Sequence, residues 1–263
     1  MKINTLIMYT LILATTFFNS TRINAQNKKE ELSFEFGYGK HDYSMGNINQ
    51  FFVDSFASQT NPILLDKNIE KGEQFSLSLN YRPFKYFDVG LFSMYQFSKQ
   101  NSSSTFLETD DFGNAIAKHE RNYELKTMAI SFGLNSTLFI SSLLNFEQKE
   151  TDFLKNLSLG IGVSGGIGLS RVVSDLRMKS FPTSSSYSFF ESTAFQGQTF
   201  IDVGYYFLNN NLFSSVGVKL GYQYFVTKTV QDRLDNGWIV QGENPINLDF
   251  SGLYVGTYLM IGK

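Results

Sequence analysis

The chain has 263 residues, enough for one large domain or two small ones. It carries 22 Lys and Arg against 24 Asp and Glu, a net charge of −2, and it holds 27 Phe, 14 Tyr and 21 Gly beside 4 Pro, 1 Trp and no Cys. No basic block points to nucleic acid as a partner, a chain without Cys has neither a disulfide framework nor a thiolate site, and aromatic plus glycine enrichment favours strands over helical bundles.

Residues 1–25 read as a secretory signal peptide. Lys2 is a short positive start, the stretch from Ile3 to Phe18 is mostly apolar, and Ala25 is the last residue before the cut. Ile23 is larger than the usual small residue two places earlier, which leaves the exact position open, and an uncleaved anchor is the alternative. Loss of Lys2 and Arg22 takes the net charge from −2 to about −4. No later apolar run reaches the roughly 18 residues of a membrane helix. No Pro/Ser linker divides residues 26–263, which read as one domain.

Along that domain, alternation with period two recurs about eight times. The first run, Leu32 to Lys40, sets Phe34, Phe36 and Tyr38 against Ser33, Glu35, Gly37 and Gly39. The second, Glu73 to Arg82, sets Phe75, Leu77, Leu79 and Tyr81 against Gln74, Ser76, Ser78 and Asn80. In the third, Phe87 to Phe97, Val89, Leu91, Tyr95 and Phe97 oppose Asp88, Gly90, Phe92, Met94 and Gln96. In the fourth, Tyr123 to Leu138, Met128, Ile130, Phe132 and Leu134 oppose Thr127, Ala129, Ser131, Gly133 and Asn135.

The fifth run, Leu157 to Ser170, contains a G-x-G-x-x-G at Gly160, Gly162 and Gly165. A dinucleotide cradle needs those glycines in a turn between strand and helix. Here the alternation runs straight through, with Ile161, Val163 and Ile167 on one face and Gly160, Gly162, Gly166 and Gly168 on the other. The match is a by-product of the two-residue period, and the bare face predicts room for bulky neighbours. The sixth run, Thr193 to Phe207, sets Phe195, Ile201, Val203, Tyr205 and Phe207 against Gln196, Gln198, Asp202 and Gly204. The seventh, Phe213 to Val226, sets Val216, Val218, Leu220, Tyr222 and Tyr224 against Ser215, Gly217, Lys219, Gly221 and Gln223. The last, Asn247 to Ile261, sets Leu253, Val255, Leu259 and Ile261 against Gly252, Tyr254, Gly256 and Tyr258.

These runs are longer than the about 5–6 residues of an ordinary strand and match the about 9–11 of a membrane-crossing one. Their connections alternate between tight turns, such as Pro83 to Tyr86, and long polar segments at Asp42–Gly72, Ser98–Asn122, Arg171–Ser192 and Thr227–Ile246. That is the pattern of an up-and-down transmembrane β-barrel of eight strands, with long extracellular loops and short periplasmic turns. One link departs from it: Phe139 to Asn156 reads either as a short amphipathic helix on the membrane surface or as an irregular turn.

Two all-β readings compete, a soluble lipocalin-like carrier with its apolar face inward and an outer-membrane barrel with that face toward lipid. Aromatics near both ends of the apolar face favour the second. Phe34, Tyr81, Phe87, Tyr205, Phe207 and Phe213 form a girdle at the short-turn end, and Tyr95, Phe97, Phe195, Tyr222 and Tyr224 one at the loop end. The lumen of eight strands is then filled by side chains. Glu35, Arg82, Asp88, Asp202 and Lys219 point inward and must pair to be tolerated there. They read as a polar plug, or alternatively as a narrow ion path or gate. Tyr254 and Tyr258 are expected to pack across the ring against Ala129, Ser131 and Gly133, beside the bare Gly160, Gly162 and Gly166.

No residue set compels chemistry. His41 and His119 read as exposed loop histidines with no nucleophile fixed beside them. Glu108, Asp110 and Asp111 read as a solvated acidic patch rather than a cation site. Ile48, Phe51, Phe52 and Phe56 have the spacing of a short amphipathic helix, which reads as packing locally on the barrel mouth or the membrane interface, or alternatively as meeting a partner. No cofactor or metal is called for. At the C-terminus, Tyr254, Gly256, Leu259 and Ile261 resemble the signal read by the barrel-assembly machinery, with Leu and Ile where aromatics are usual.

The segments "NAQ", "FEFGYGKHDYSM", "LNYRPFKYFDVGLF" and "LYVGTYLMIG" make the chain resemble the small outer-membrane β-barrel proteins of Bacteroidetes-type bacteria. The resemblance spans nearly the whole chain. It implies location and fold, with the outer-membrane bilayer as surroundings, and it brings no catalytic residue with it. The expectation is a non-enzymatic integral barrel with a structural, adhesive or narrow passive-transport role. The alternatives are the soluble carrier, an accessory barrel of a secretion complex, and a lipid-modifying barrel enzyme. The sequence identifies no partner for the surface loops.

Overall fold

The computed structural model describes residues 31–49, 69–149, 151–178, 186–207, 213–237 and 245–262, all within one compact unit, Glu31–Lys263. The expected signal peptide and Phe51, Phe52 and Phe56 lie outside the described residues. Ten strands are described: β1 Glu31–Asp42, β2 Lys71–Phe84, β3 Phe87–Thr109, β4 Ala115–Phe139, β5 Leu157–Met178, β6 Ser186–Tyr206, β7 Phe213–Tyr224, β8 Val226–Thr229, β9 Asn247–Asp249 and β10 Gly252–Gly262. Eight of these close an antiparallel ring in the order β1-β2-β3-β4-β5-β6-β7-β10, and β8 pairs with β9 as a separate small ribbon.

The fold is therefore an up-and-down β-barrel. Each strand pairs with its predecessor, and β10 returns to β1 through Phe34↔Ile261 to His41↔Tyr254. The ring is sheared. Its pairings run from Leu32 through Tyr81, Val89, Ser136, Val163, Thr199 and Tyr222 to Leu253, whose neighbour Tyr254 pairs with His41. One circuit thus returns about ten residues higher on β1, which for eight strands at ordinary spacings corresponds to a tilt of about 40°.

The strands are unequal, and here the structure departs from the sequence expectation. β1, β7 and β10 have 12, 12 and 11 residues, whereas β3, β4, β5 and β6 have 23, 25, 22 and 21. Much of the expected loop Ser98–Asn122 is strand, paired from Ser98↔Thr127 to Glu108↔Ala117. The expected loop Arg171–Ser192 is likewise strand up to Met178 and again from Ser186. Four strands thus rise roughly 25 Å beyond the rest as a wall. At the opposite end of the barrel, the short-turn end, the β4–β5 link folds into α1 (Ile140–Leu143), a 3-10 turn (Phe146–Gln148) and α2 (Asp152–Asn156).

Burial is inverted relative to a soluble barrel. Phe132, Leu134, Ile167, Ile201 and Leu220 are exposed on the outside, while Gln96, Gln196, Gln223 and Asp202 are buried inside. That is the reverse of a soluble carrier with an apolar cavity.

Candidate functional site

Inward side chains stack in layers, and the layer nearest the short turns is charged. Glu35 comes from β1, Arg82 from β2, Asp88 from β3, Asp202 from β6 and Lys219 from β7. Glu35, Asp88 and Asp202 are buried. Lys219 Nζ donates to Glu35 Oε1, and Tyr258 OH donates to Asp202 Oδ1 at 2.7 Å. The ammonium of Lys219 also lies 5.1 Å from the Phe200 ring centre and 5.0 Å from that of Tyr258. Asp88 lies within electrostatic reach of Arg82, Lys219 and Glu35. Arg82 donates to Tyr206 OH at 2.9 Å and stacks over the Phe139 ring at 3.9 Å. The five charges thus share one compartment with the hydroxyls of Tyr206 and Tyr258 and the ring faces of Phe139, Phe200 and Tyr258.

The tyrosines of β10 are inward, but their partners correct the expectation. The Tyr258 ring occupies the space that side chains at Gly204 and Gly217 would need, and Tyr254 and Phe200 occupy that of Gly221. The packing is therefore against the β6 and β7 glycines beside them rather than across the ring against Ala129, Ser131 and Gly133. The sheared register brings neighbouring strands, not opposite ones, under a long ring. The bare face of β5 receives other residues. Phe200 lies over Gly162, Phe225 over Gly168, and Thr137 and Phe139 against Gly160, while Gly166 lets the backbone of Phe132 and Gly133 approach closely.

Above lies a layer of amides. Gln223 Nε2 donates to Gln96 Oε1 at 2.9 Å, Gln198 Nε2 donates to Gln223 Oε1 at 2.8 Å, and Gln96 Nε2 donates to His41 Nδ1 at 2.8 Å. His41 is 1% exposed and His119 is 7% exposed, so neither is the exposed loop residue that the sequence suggested. His119 Nε2 lies 2.9 Å from Glu108 Oε2. His41 is turned inward by the alternation of β1, which continues to Asp42, and the wall buries His119 because residues 115–122 are strand.

The top of the lumen is closed by an apolar core that sequence reading missed. Tyr43, Met45, Ile48 and Ile69 from the first connection meet Phe225, Val230, Ile246, Leu248 and Phe250 from the last, against Tyr123, Leu125, Ala129 and Val172 of the wall. Phe225 and Phe250 stack with ring centres 5.4 Å apart, and Tyr43 meets Phe250 edge-on at 5.5 Å. Asn47 and Asn247 clasp the two connections. The Asn247 amide N–H donates to Asn47 Oδ1 at 2.9 Å, and the Asn47 amide N–H donates to Asn247 Oδ1 at 3.2 Å. Met45 (φ 56) and Gly46 (φ 59) are left-handed, and this reversal drops Met45 into the core.

Outside the lumen, two five-residue turns share one design. Asp110 Oδ1 accepts from the N–H groups of Phe112 and Asn114 at 3.0 and 2.8 Å, and Asn114 Nδ2 donates to Asp110 Oδ2 at 3.0 Å. Asp232 Oδ1 does the same for Leu234 and Asn236 at 2.8 and 2.9 Å, with Asn236 Nδ2 at 3.0 Å from its Oδ2. The amide of each Asn, then the backbone donors, hold both carboxyls below the ordinary aspartate value. The expected acidic patch is thus partly spent: Asp110 closes a turn and Glu108 pairs with His119. Among the described residues, no group of three His, Cys, Asp or Glu is placed to hold a metal ion. The apices of the two turns present Phe112 and Leu234, 91% and 81% exposed.

Outward aromatics lie at both ends of the apolar belt. Phe34 and Phe207 are exposed at the short-turn end, with Tyr81, Phe87 and Tyr205 half-buried there, and Tyr95, Phe195, Tyr222 and Tyr224 are exposed toward the loop end beside the half-buried Phe97. The side chain of Phe213 lies outside the described residues. Just above the upper aromatics, Lys126 and Lys99 both bind Glu124 and hold its carboxyl low.

A closed, tilted ring of eight antiparallel strands with its apolar side outward and its lumen polar is the architecture of the small barrels of bacterial outer membranes. No protein-family model matches the chain, and no curated protein matches it. Among solved structures, it is similar to the outer membrane protein OprG from Pseudomonas aeruginosa, at 12% identity and a TM-score of 0.42 over 90% of this chain and 97% of that one. Neisserial surface protein A matches at 11% identity and 0.36, over 88% and 99%. Ail, the attachment invasion locus protein of Yersinia pestis, matches at 11% and 0.34, over 89% and 97%. Each match is distant in sequence.

Proposed function

We propose that the chain is an integral outer-membrane barrel without enzymatic chemistry, whose role is structural or adhesive rather than conductive. It is exported on residues 1–25 and inserted by the barrel-assembly machinery through its last strand, Tyr254 to Ile261. This reading includes membership of the Bacteroidetes-type barrels that its sequence resembles. The outward apolar belt supports the bilayer as its surroundings. The observation that carries the role is the seal. A solute would have to cross the Phe225–Phe250 core, then the Gln96–Gln198–Gln223 layer, then the charges around Lys219. The charged layer acts here as a paired polar core, since each buried ion needs partners within the lumen.

The working surface is then the β-wall with its rigid turns. Purified protein reconstituted in planar bilayers is expected to show no steady conductance, and membranes washed with carbonate are expected to retain it. A large, stable conductance would sink the non-conducting role, and extraction by carbonate would sink the integral barrel.

A further inference from the structure

The β4–β5 link is far longer than the two-residue turn between β2 and β3, and it exposes large apolar groups. Leu143 is 52% exposed, and Leu144 and Phe153 are 58% exposed each. They are held in place rather than hanging free. β4 ends where Phe139 pairs with Gly160, and beyond that point Ser141 Oγ accepts the N–H of Leu159 at 3.1 Å. This pins α1 along the lower edge of β5. At the other end, α2 runs directly into β5 at Leu157.

The placement of Phe153 fixes the side it faces. Its ring centre lies 6.0 Å from that of Tyr205, which in turn lies 6.1 Å from that of Phe207. Both partners belong to the outward aromatics at the short-turn end. Asn156 Nδ2 donates to Tyr205 OH at 3.5 Å, a second tie between the link and the girdle. The charges of α2 are spent on each other, with Lys155 Nζ 3.3 Å from Asp152 Oδ1. Phe153 therefore extends the outward girdle one step below the barrel wall, where a bilayer passes from acyl chains to headgroups and aromatic rings are favoured.

We propose that this link is a membrane-interface foot: Phe153, with Leu143 and Leu144, inserts among the lipids of the leaflet on the short-turn side. The proposal rests on the integral-barrel reading. Lipid is the occupant because the exposed ring is continuous with the girdle that already faces lipid. Lipid so bound fixes the depth and tilt of the barrel from below, independently of the β-wall.

Depth-dependent quenching tests it. Trp238, the single tryptophan, is replaced by Phe, and one tryptophan is introduced as Phe153→Trp, Leu134→Trp (belt) or Phe112→Trp (turn apex). Each protein is reconstituted in phosphatidylcholine vesicles brominated at shallow or deep acyl positions. Loss of unboiled-gel mobility on heating checks that each variant has folded, and Leu144→Trp replaces Phe153→Trp if the latter has not. The foot tryptophan is expected to lose at least half its emission to shallow bromines and less to deep ones, while Leu134→Trp is quenched by deep bromines and Phe112→Trp by neither. A foot tryptophan quenched no more than Phe112→Trp, with Leu134→Trp quenched, overturns the foot and leaves the barrel reading standing. The same result with the foot shielded from aqueous iodide also overturns it and points to a second copy of this chain as what covers the foot. If Leu134→Trp is not quenched, the membrane reading fails and the foot fails with it.

Discussion

At the scale of single residues, the lumen is decided by how buried charges are matched. Lys219 serves Glu35 directly, with Asp202 and Asp88 within its field. Removing one member of such a pair leaves the other uncompensated in a low-dielectric interior, a change worth about 3–5 kcal/mol. Glu35→Leu and Lys219→Met are each expected to destabilise the barrel by that order in urea unfolding from vesicles. The double variant is expected to recover most of the loss, so a strictly additive result would show that the pair is not coupled. The turn aspartates give a pH test. Asp110 and Asp232 titrate below the ordinary aspartate value in the folded chain. Their contribution is therefore complete above the unfolded value of about 3.9 and is lost as pH falls through the lowered folded value. Carboxyl NMR titration is expected to place both midpoints below about 3.9, and replacing Asn114 or Asn236 by Ala is expected to raise the corresponding one.

At the scale of elements, the seal and the wall depend on each other. Phe225 stacks on Phe250, covers Gly168 and donates its backbone N–H to Ser251 Oγ at 3.0 Å. Phe225→Ala is expected to cost about 3–5 kcal/mol. In hydrogen-exchange mass spectrometry it is expected to speed exchange in β8 and β9 while the belt stays protected. Unchanged exchange in the β8–β9 ribbon would show that the seal does not depend on this ring. These elements also mark the boundary of what the sequence reveals. The faces of β1, β7 and β10 are legible because lipid outside and a polar lumen inside force a two-residue contrast, as in Phe34–Glu35–Phe36. Above the belt both faces of a strand meet polar surroundings, so Asn101 to Ser104 shows no alternation and reads as loop although it is β3. The seal is invisible for another reason: Met45, Ile48, Ile69, Phe225 and Leu248 come from separate short pieces with no shared period. His41 could have been placed by extending the first run, Leu32 to Lys40, by one residue. The partners of Tyr258 could not, because the shear of the ring is set by all eight registers together.

At the scale of the whole molecule, an outward belt and an inward polar stack make the bilayer part of the fold. Leu134 lies on the belt, 61% exposed, on a strand whose inward neighbours are Gly133 and Asn135. Leu134→Arg is expected to destabilise the barrel by about 2–4 kcal/mol when measured in lipid vesicles. The same change is expected to have little effect in a short-chain detergent that lets the guanidinium reach water. Equal losses in both would mean that this face does not lie near the middle of a bilayer. The seam where β10 meets β1 has a further consequence. Ser33 pairs with Gly262, so nearly the full length of the chain lies between two residues that end up side by side. Such a contact has close to the largest separation the sequence permits, and loop-closure entropy makes contacts of that kind slow to form. Ring closure must therefore wait until the last strand is delivered, and until then β1 and β10 are both open edges. Closure of the ring is thus expected only after the whole chain has been made. Circular permutants that join the ends beside Ser33 and Gly262, and open the chain at the Asp110–Asn114 turn, would turn that slowest pairing into a local hairpin.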